Sequence, residues 1–341
     1  MTTRLPAEWE QQDAVLLAWP HPGSDWAPRL AAVRRVFREL LRAILRHEKA
    51  VVVAPDPEEV RRELAAAGLS EDRLLLCEVP TDDTWARDFG PITVFHEGEP
   101  LLLDFEFNGW GGKFSAENDN RITEKLRRQG LFGRHPAMRP GLVLEGGSLD
   151  SDGRGTLLTT ARCLLNPNRN PHLGPAELEA RLSELLGVRR FFWLRHGFLA
   201  GDDTDAHVDI LARFCSPEVI AFSSCDDERD EHCEELRRME TELAAFRTPA
   251  GRPYRLIPLP IPAPIHDENG RRLAASYANF LIVNGAVLVP VYQDPRDEIA
   301  LTRLGEVFPE RELIGIDCRE PILQGGSLHC LTMQLPKGVL A

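Results

Sequence analysis

The stretch Gln324-Gly325-Gly326-Ser327-Leu328-His329-Cys330-Leu331-Thr332-Met333 decides how this chain is read. A glycine pair bends the backbone, and the residues after it read as a strand carrying Cys330, the only cysteine set beside a glycine turn. Roughly 180 residues earlier stands a near-copy, Leu144-Glu145-Gly146-Gly147-Ser148-Leu149, with an acid where the later copy has Gln324. Two similar turns, one presenting a thiol and the other a carboxylate, point to a repeated unit and a built site.

Outward from these turns, strand-like and helix-like segments alternate. Strands are predicted at Asp13 to Trp19, Ala50 to Ala54, Leu74 to Val79, Pro91 to Phe95 and Leu101 to Phe107. Further strands follow at Leu142 to Leu144, Thr156 to Thr160, Arg190 to Leu194, His207 to Phe214 and Val219 to Phe222. The last are Arg255 to Leu259, Ala278 to Val283, Ala286 to Val291, Leu313 to Ile316 and Leu328 to Leu335. Helical periodicity covers Trp26 to His47, a segment opened by Pro55-Asp56-Pro57, Glu117 to Gln129, Pro175 to Leu186, Asp227 to Phe246 and Pro295 to Val307. Strand, helix and strand recur about five times, at a period of roughly sixty residues. In a circular array of such units, equivalent strand ends point toward one axis, so Asp88, Glu145, His207 and Cys330 would meet there. No long linker interrupts the pattern, so residues 1–341 are expected to form one domain.

Composition narrows the functions available. The 341 residues are 43% hydrophobic, enough for a substantial core, and carry a formal net charge of -13. That charge argues against nucleic acid and anionic membrane as partners and favours a cationic ligand. No apolar run approaches membrane-spanning length, and Met1-Thr2-Thr3-Arg4-Leu5-Pro6 has no apolar signal region. Seven scattered cysteines form no disulfide framework, which suggests a reduced, cytoplasmic setting. Cys225 and His232-Cys233 lie in acidic, helix-like sequence and match no common zinc spacing.

The second constellation is Gly201-Asp202-Asp203-Thr204-Asp205-Ala206-His207-Val208-Asp209. If extended, it places Asp203, Asp205, His207 and Asp209 on one face. Alone, it reads equally as an acidic loop with a satisfied histidine. The string Asp205-Ala206-His207-Val208-Asp209 also matches a short motif of the manganese ureohydrolases, without the partner motifs those enzymes need. The third piece is Asp82-Asp83-Thr84-Trp85-Ala86-Arg87-Asp88-Phe89-Gly90-Pro91, in which Arg87 and Asp88 alone read as a loop ion pair. Trp110, within Asn108-Gly109-Trp110-Gly111-Gly112, is a structural plug or the aromatic wall of a pocket; these glycines have neither phosphate-loop nor dinucleotide spacing.

Together the pieces offer a thiol, a histidine and three carboxylates (Asp88, Glu145 and Asp209). Facing carboxylates repel unless a cation lies between them. A guanidinium is flat, delocalised and rich in N–H donors, so it pairs with two carboxylates at once and presents its central carbon to a nucleophile. Cys330 is the natural nucleophile and His207 the acid–base partner. The expected products are a ureido compound and ammonia, with no metal or other cofactor.

Five ordered motifs then carry a resemblance along nearly the whole chain, from Pro6-Ala7-Glu8-Trp9 to Gln334. They are Trp85-Ala86-Arg87-Asp88-Phe89-Gly90-Pro91, Asn108-Gly109-Trp110-Gly111-Gly112, Leu144-Glu145-Gly146-Gly147-Ser148, Asp205-Ala206-His207-Val208-Asp209 and Gly325-Gly326-Ser327-Leu328-His329-Cys330. The chain resembles the agmatine deiminase family, which includes the bacterial-type peptidylarginine deiminases. The resemblance implies an α/β fold, the five-bladed α/β-propeller of the guanidine-modifying (pentein) superfamily, with pseudo-fivefold ββαβ repeats around a central site. It implies Cys330 as covalent nucleophile, His207 as general acid–base, and Glu145 as support for the histidine and a contact of the guanidinium. Asp88 and Asp209 would bind the guanidinium, with Trp85 and Trp110 beside the substrate. In the family an acid upstream of the histidine often binds the agmatine amine, and Asp203 stands in that place here.

The chain departs from the family where many members read Asn-Gly-His-x-Asp-Asn, and where they often carry three glycines and an asparagine before the last Ile-His-Cys. The reaction is therefore read more sharply than the substrate tail. The expected substrate is agmatine, giving N-carbamoylputrescine and ammonia, and a homodimer is expected by family analogy. The competing readings are a deiminase of another arginine-like guanidine, a metal ureohydrolase and a non-enzymatic propeller.

Overall fold

The computed structural model describes residues 2–341, and five separate sheets organise them. Each contains an antiparallel pair followed, through a helix, by a strand parallel to the second of the pair. In one sheet Leu281–Val283 pairs antiparallel with Ala286–Val291, helix Arg296–Val307 crosses over, and Glu312–Asp317 lies parallel to Ala286–Val291. Leu149–Ser151, Thr156–Thr160, helix Pro175–Leu186 and Arg190–Leu194 repeat the arrangement. So do Ala212–Ser216, Val219–Ser224, helix Cys233–Ala245 and Arg255–Pro260. In the sheet containing Ile92–His96 and Glu99–Leu103 the parallel partner is only Ala137–Met138, and Thr3–Arg4 adds to the outer edge.

The fifth sheet joins the two ends of the chain. Thr332–Pro336 pairs antiparallel with Gln12–Ala18, bringing Thr332 opposite Leu17 and Gln334 opposite Val15. Lys49–Ala54 and Leu74–Glu78 extend this sheet in parallel. Val51, Val52 and Val53 are fully buried, as expected for a strand covered on both faces. The crossover helices obey local rules. Pro175 opens Pro175–Leu186, Glu177 reaches back to the Gly174 N–H at 2.8 Å, and Gly187 ends it at φ 70°. Leu178, Leu182, Leu185 and Leu186 form its buried stripe, each contributing about 1.5–3 kcal/mol on burial. No helix among the described residues is long and apolar enough to cross a membrane.

Several sequence expectations need correction, among them Leu142 to Leu144, which is no strand but a single bridge from Val143 to Glu106. The residues up to Leu331 do not form the strand expected from Leu328; it begins at Thr332, so Cys330 lies in a turn just ahead of it. His207 to Phe214 is not one extended run either, because Val208–Ile210 forms a short 3-10 helix before Ala212–Ser216. The charged helix starts at Cys233 rather than near Asp227. Ahead of it, the carboxylates of Asp227 and Asp230 bind the N–H groups of Arg229 and His232 and turn the chain locally.

Candidate active site

The turns that lead into the first strand of each antiparallel pair carry the polar side chains. Asp88 lies in Ala86–Phe89 ahead of Ile92–His96, and Glu145 and Gly146–Ser148 precede Leu149–Ser151. His207 and Asp209 precede Ala212–Ser216, Asn279 precedes Leu281–Val283, and Cys330 precedes Thr332–Pro336. Residues far apart in sequence therefore occupy equivalent places in successive units.

Cys330, His207, Asp88, Asp209, Trp85, Trp110 and Asp203 line one cavity of about 240 Å³. Glu145 does not reach its wall; it is fully buried beside His207, close to the Cys163 thiol. Gly147 explains how so many polar groups converge. A Cβ there would stand 2.6 Å from His207 Nδ1, 2.8 Å from Asp88 Oδ1 and 3.1 Å from Asp209 Oδ2. The missing side chain gives the cluster its room, and the Gly147 N–H donates to Asp88 Oδ1 at 2.9 Å.

Asp88 Oδ2 accepts from Trp110 Nε1 at 3.0 Å. Trp110 reaches it from a left-handed turn in which Gly109, Trp110, Gly111 and Gly112 have φ between 56° and 87°. Three glycines take that conformation freely, and the tryptophan is held there against about 1–3 kcal/mol of backbone strain. Its ring packs edge-on against Phe107 and Phe114.

Asp205 and Ala206, at φ 67° and 65°, reverse the chain just before His207. The Asp202 carboxylate holds this bend through the N–H groups of Thr204 and Ala206, and Thr160 Oγ1 donates to the Ala206 carbonyl. This bend overturns the common face expected for Asp203, Asp205, His207 and Asp209. Asp205 turns to Arg169 Nη1 at 2.5 Å and Lys113 at 2.9 Å, while Asp209 accepts from His329 at 2.8 Å. The two acids of the apparent manganese motif thus serve different partners. Glu145, Cys163 and His207 do bring donor atoms together, but the buried Arg169 guanidinium already holds Glu145 at 2.8 Å, where its charge would repel a metal ion. The other suspected cluster is no freer: His232 uses Nδ1 on Asp230 and accepts the Ala200 N–H on Nε2.

Cys330 Sγ lies 3.1 Å from Asn279 Nδ2 and 3.5 Å from Asp209 Oδ2. Asn279 Oδ1 also gathers the N–H groups of Ser327 and His329 and the Ser327 hydroxyl, which fixes the glycine turn. A Cβ on Gly326 would stand 2.5 Å from the Trp85 ring, so the turn closes tightly on that wall.

Burial, reinforced by Asp209 and Asp88, pushes the Cys330 thiol well above its ordinary range. Burial also raises Asp88 and Glu145. For His207, burial alone would lower the pKa, but Asp88, Cys163 and Glu145 outweigh it and raise it well above the ordinary histidine value. Burial would raise Asp209, and the hydrogen bond and charge of His329 overcome this to hold it low. Asp209 Oδ1, Glu145 Oε2 and both His207 ring nitrogens are buried without a hydrogen-bond partner among the described residues. Asp88 Oδ1 stands 3.6 Å from His207 Nδ1.

The cavity mouth is acidic. Asp25, Asp83, Asp202 and Asp203 line it with Phe114, and Arg271 is its one cation among the described residues. Arg271 is drawn to Asp267 at 3.2 Å, the Leu323 carbonyl at 3.1 Å and Asp203 at 3.9 Å. Sequence reading did not single out Asn279, Arg169, Asp25 or Asp83. An amide inside the apolar run Ala278 to Val283 was a usable signal for Asn279; Arg169, amid prolines and asparagines, reads as loop.

The profile of the Porphyromonas-type peptidyl-arginine deiminase family matches residues 4–336. The chain belongs to this deiminase family. It is 36% identical to the agmatine deiminase of Stutzerimonas stutzeri (strain A1501), covering 97% of this chain and 95% of that one. Among solved structures, a Porphyromonas gingivalis protein provisionally described as an arginine deiminase superposes with a TM-score of 0.94 at 48% identity, over 99% of this chain and 100% of that one. The C. jejuni agmatine deiminase, solved as a cysteine-to-serine variant with substrate bound, superposes with a TM-score of 0.92 at 38% identity, over 99% and 97%. The chain shares the α/β fold of these deiminase structures.

Proposed function

We propose that the chain is a cysteine-dependent deiminase that hydrolyses agmatine to N-carbamoylputrescine and ammonia. The observation that carries this reading is the Cys330 thiol sharing one cavity with His207, Asp88 and Asp209, where the buried Asp209 Oδ1 has no hydrogen-bond partner among the described residues. Leaving a buried polar group unpaired costs about 1–3 kcal/mol, and a guanidinium supplies several N–H donors and a positive charge to the same place. Asp88 and Asp209 would grip the guanidinium, Trp85 and Trp110 would flank it, and Glu145 would support His207. The agmatine deiminases among the relatives support the same substrate.

In the proposed sequence, the arriving cation offsets Asp88 and Asp209, and the Cys330 thiol gives up its proton to solvent water while His207 stays an imidazolium. The thiolate forms an S–C bond to the guanidinium carbon, and the C=N electron pair moves onto nitrogen. The His207 imidazolium protonates the departing nitrogen, the C–N bond breaks and ammonia leaves. Neutral His207 then takes a proton from water as the oxygen attacks the amidino carbon. Collapse breaks the S–C bond: the sulfur leaves with the bonding pair and takes up the hydroxyl proton, which restores the thiol and leaves the ureido product.

The excess of acids at the mouth favours an amine tail, with Asp203 and Asp83 as its partners. Arginine or a peptidyl-arginine remains the second reading, favoured by Arg271 at that mouth; three nearby acceptors already occupy this guanidinium. We read the five sheets as blades of a propeller within one domain, closed by the pairing of Thr332–Pro336 with Gln12–Ala18, which supports a ring. The cysteines, all unpaired, fit a cytoplasmic setting, and a homodimer is the assembly we propose by family analogy. A panel of agmatine, arginine, peptidyl-arginine and shorter guanidines, scored by ammonia release, tests the reading. Agmatine should be the best substrate; no release from any guanidine would refute it.

A further inference from the structure

Beneath the cavity the N-terminal Pro6-Ala7-Glu8-Trp9 segment meets the residue before the thiol. The His329 ring lies between two carboxylates, with Nδ1 2.8 Å from Asp209 Oδ2 and Nε2 2.8 Å from Glu8 Oε2. All three side chains are buried. Glu8 is anchored in turn: it accepts the Ile282 N–H at 2.7 Å and Arg213 Nη2 at 2.5 Å, and Arg87 Nη2 stands 4.0 Å away. Arg213 also binds Asp150 and the Phe280 carbonyl. Asp209 is therefore held from behind on Oδ2, while its Oδ1 stays unpartnered.

We propose that His329, clamped as an imidazolium between Asp209 and Glu8, is a positioning residue that fixes the orientation and charge of Asp209 for the substrate guanidinium. The inference rests on the deiminase reading above. With both neighbours ionised, each ring nitrogen must donate a proton to satisfy them. Interactions with His329 help hold both Asp209 and Glu8 ionised. The ionisable groups around the ring are Asp209, Glu8, Arg87, Arg213, Asp150, His207 and Cys330. The two arginines neutralise Glu8 and Asp150, leaving the imidazolium as the counter-charge of Asp209 until substrate arrives.

Two substitutions separate positioning from a mere structural tie. In His329→Asn the amide falls near the place of Nδ1 and keeps the bond to Asp209; in His329→Gln it falls near Nε2 and keeps the bond to Glu8. His329→Gln should raise KM for agmatine roughly 10–100-fold, the range known for removing the partner behind a metal-ligating side chain. It should also move the acid limb of kcat/KM to higher pH, because Asp209 would lose the group that holds it ionised. His329→Asn should rescue most of the KM. The opposite ranking, or equal losses that follow melting temperature with an unmoved pH profile, would overturn the proposal. Histidine-labelled 15N NMR of the free wild-type protein should show two hydrogen-bonded ring N–H signals for His329; a single one would also overturn it. That spectrum does not depend on turnover, so absence of ammonia release in the wild type would separately identify failure of the deiminase reading.

Discussion

Gly147 approaches His207 so closely that a methyl group on its Cα would stand 2.6 Å from the imidazole Nδ1. The same methyl would press on Asp88 and Asp209. Gly147→Ala should therefore displace all three groups, although alanine is otherwise the mildest replacement. A misplacement of reacting groups by about 1 Å costs roughly 100-fold in rate, and kcat/KM for agmatine should fall by at least that order. Steady-state ammonia release, with circular dichroism to confirm folding, checks it; an active alanine variant would show that the cluster is looser than this geometry.

Among the described residues, Trp110 supplies the single side-chain hydrogen-bond donor to Asp88. Trp110→Phe keeps the aromatic packing and removes the N–H. Losing a hydrogen bond to a charged group costs about 1.5–3 kcal/mol, which should appear mainly in KM. The bond favours the ionised carboxylate, so its loss should raise Asp88 further and move the acid limb of kcat/KM to higher pH. A pH–rate series on the two proteins gives the comparison, and superimposable profiles would count against a binding role for Asp88.

The buried, acid-flanked Cys330 should be a neutral thiol in the free protein at neutral pH. Iodoacetamide labelling should be slow there and accelerate with rising pH as thiolate forms. A haloacetamidine carries its own positive charge and should label faster at neutral pH, with agmatine protecting. Asp88→Asn removes one of the charges that raise the thiol, so it should speed iodoacetamide and slow the cationic reagent. Rate changes in the same direction would refute this electrostatic account.

At the mouth, burial chiefly, with help from Asp25, pushes the Asp83 carboxyl up to about 6. An unfolded aspartate titrates near ~3.9, so between these values the folded protein holds the extra proton and its stability declines as pH rises. Below and above that window Asp83 adds no slope. Asp83→Asn should flatten this part of the melting-temperature profile. If Asp83 meets the substrate amine, the same change should raise KM for agmatine more above pH ~6 than below it, while leaving shorter guanidines less affected.

How far the sequence carried the reading depended on what local pattern records. Helix Pro175–Leu186 and strands Thr156–Thr160, Arg190–Leu194 and Ala286–Val291 were legible to the residue, because periodicity and end signals agree there. The left-handed bend at Asp205 and Ala206 was not, since neither residue is a glycine and hydrogen bonds from distant loops hold it. The candidate site was legible through its glycine turns, its thiol and its acids. The partners behind them, Asn279, Arg169 and the Glu8–His329 pair, depend on contacts between sheets that no local pattern encodes.

The covalent role of Cys330 is tested most directly by acid-quenched mass spectrometry during agmatine turnover, with Cys330→Ala as control. The account predicts an adduct on Cys330 equal in mass to agmatine less ammonia, and a folded alanine variant with neither adduct nor ammonia release. A folded Cys330→Ala protein that still releases ammonia from agmatine would contradict it.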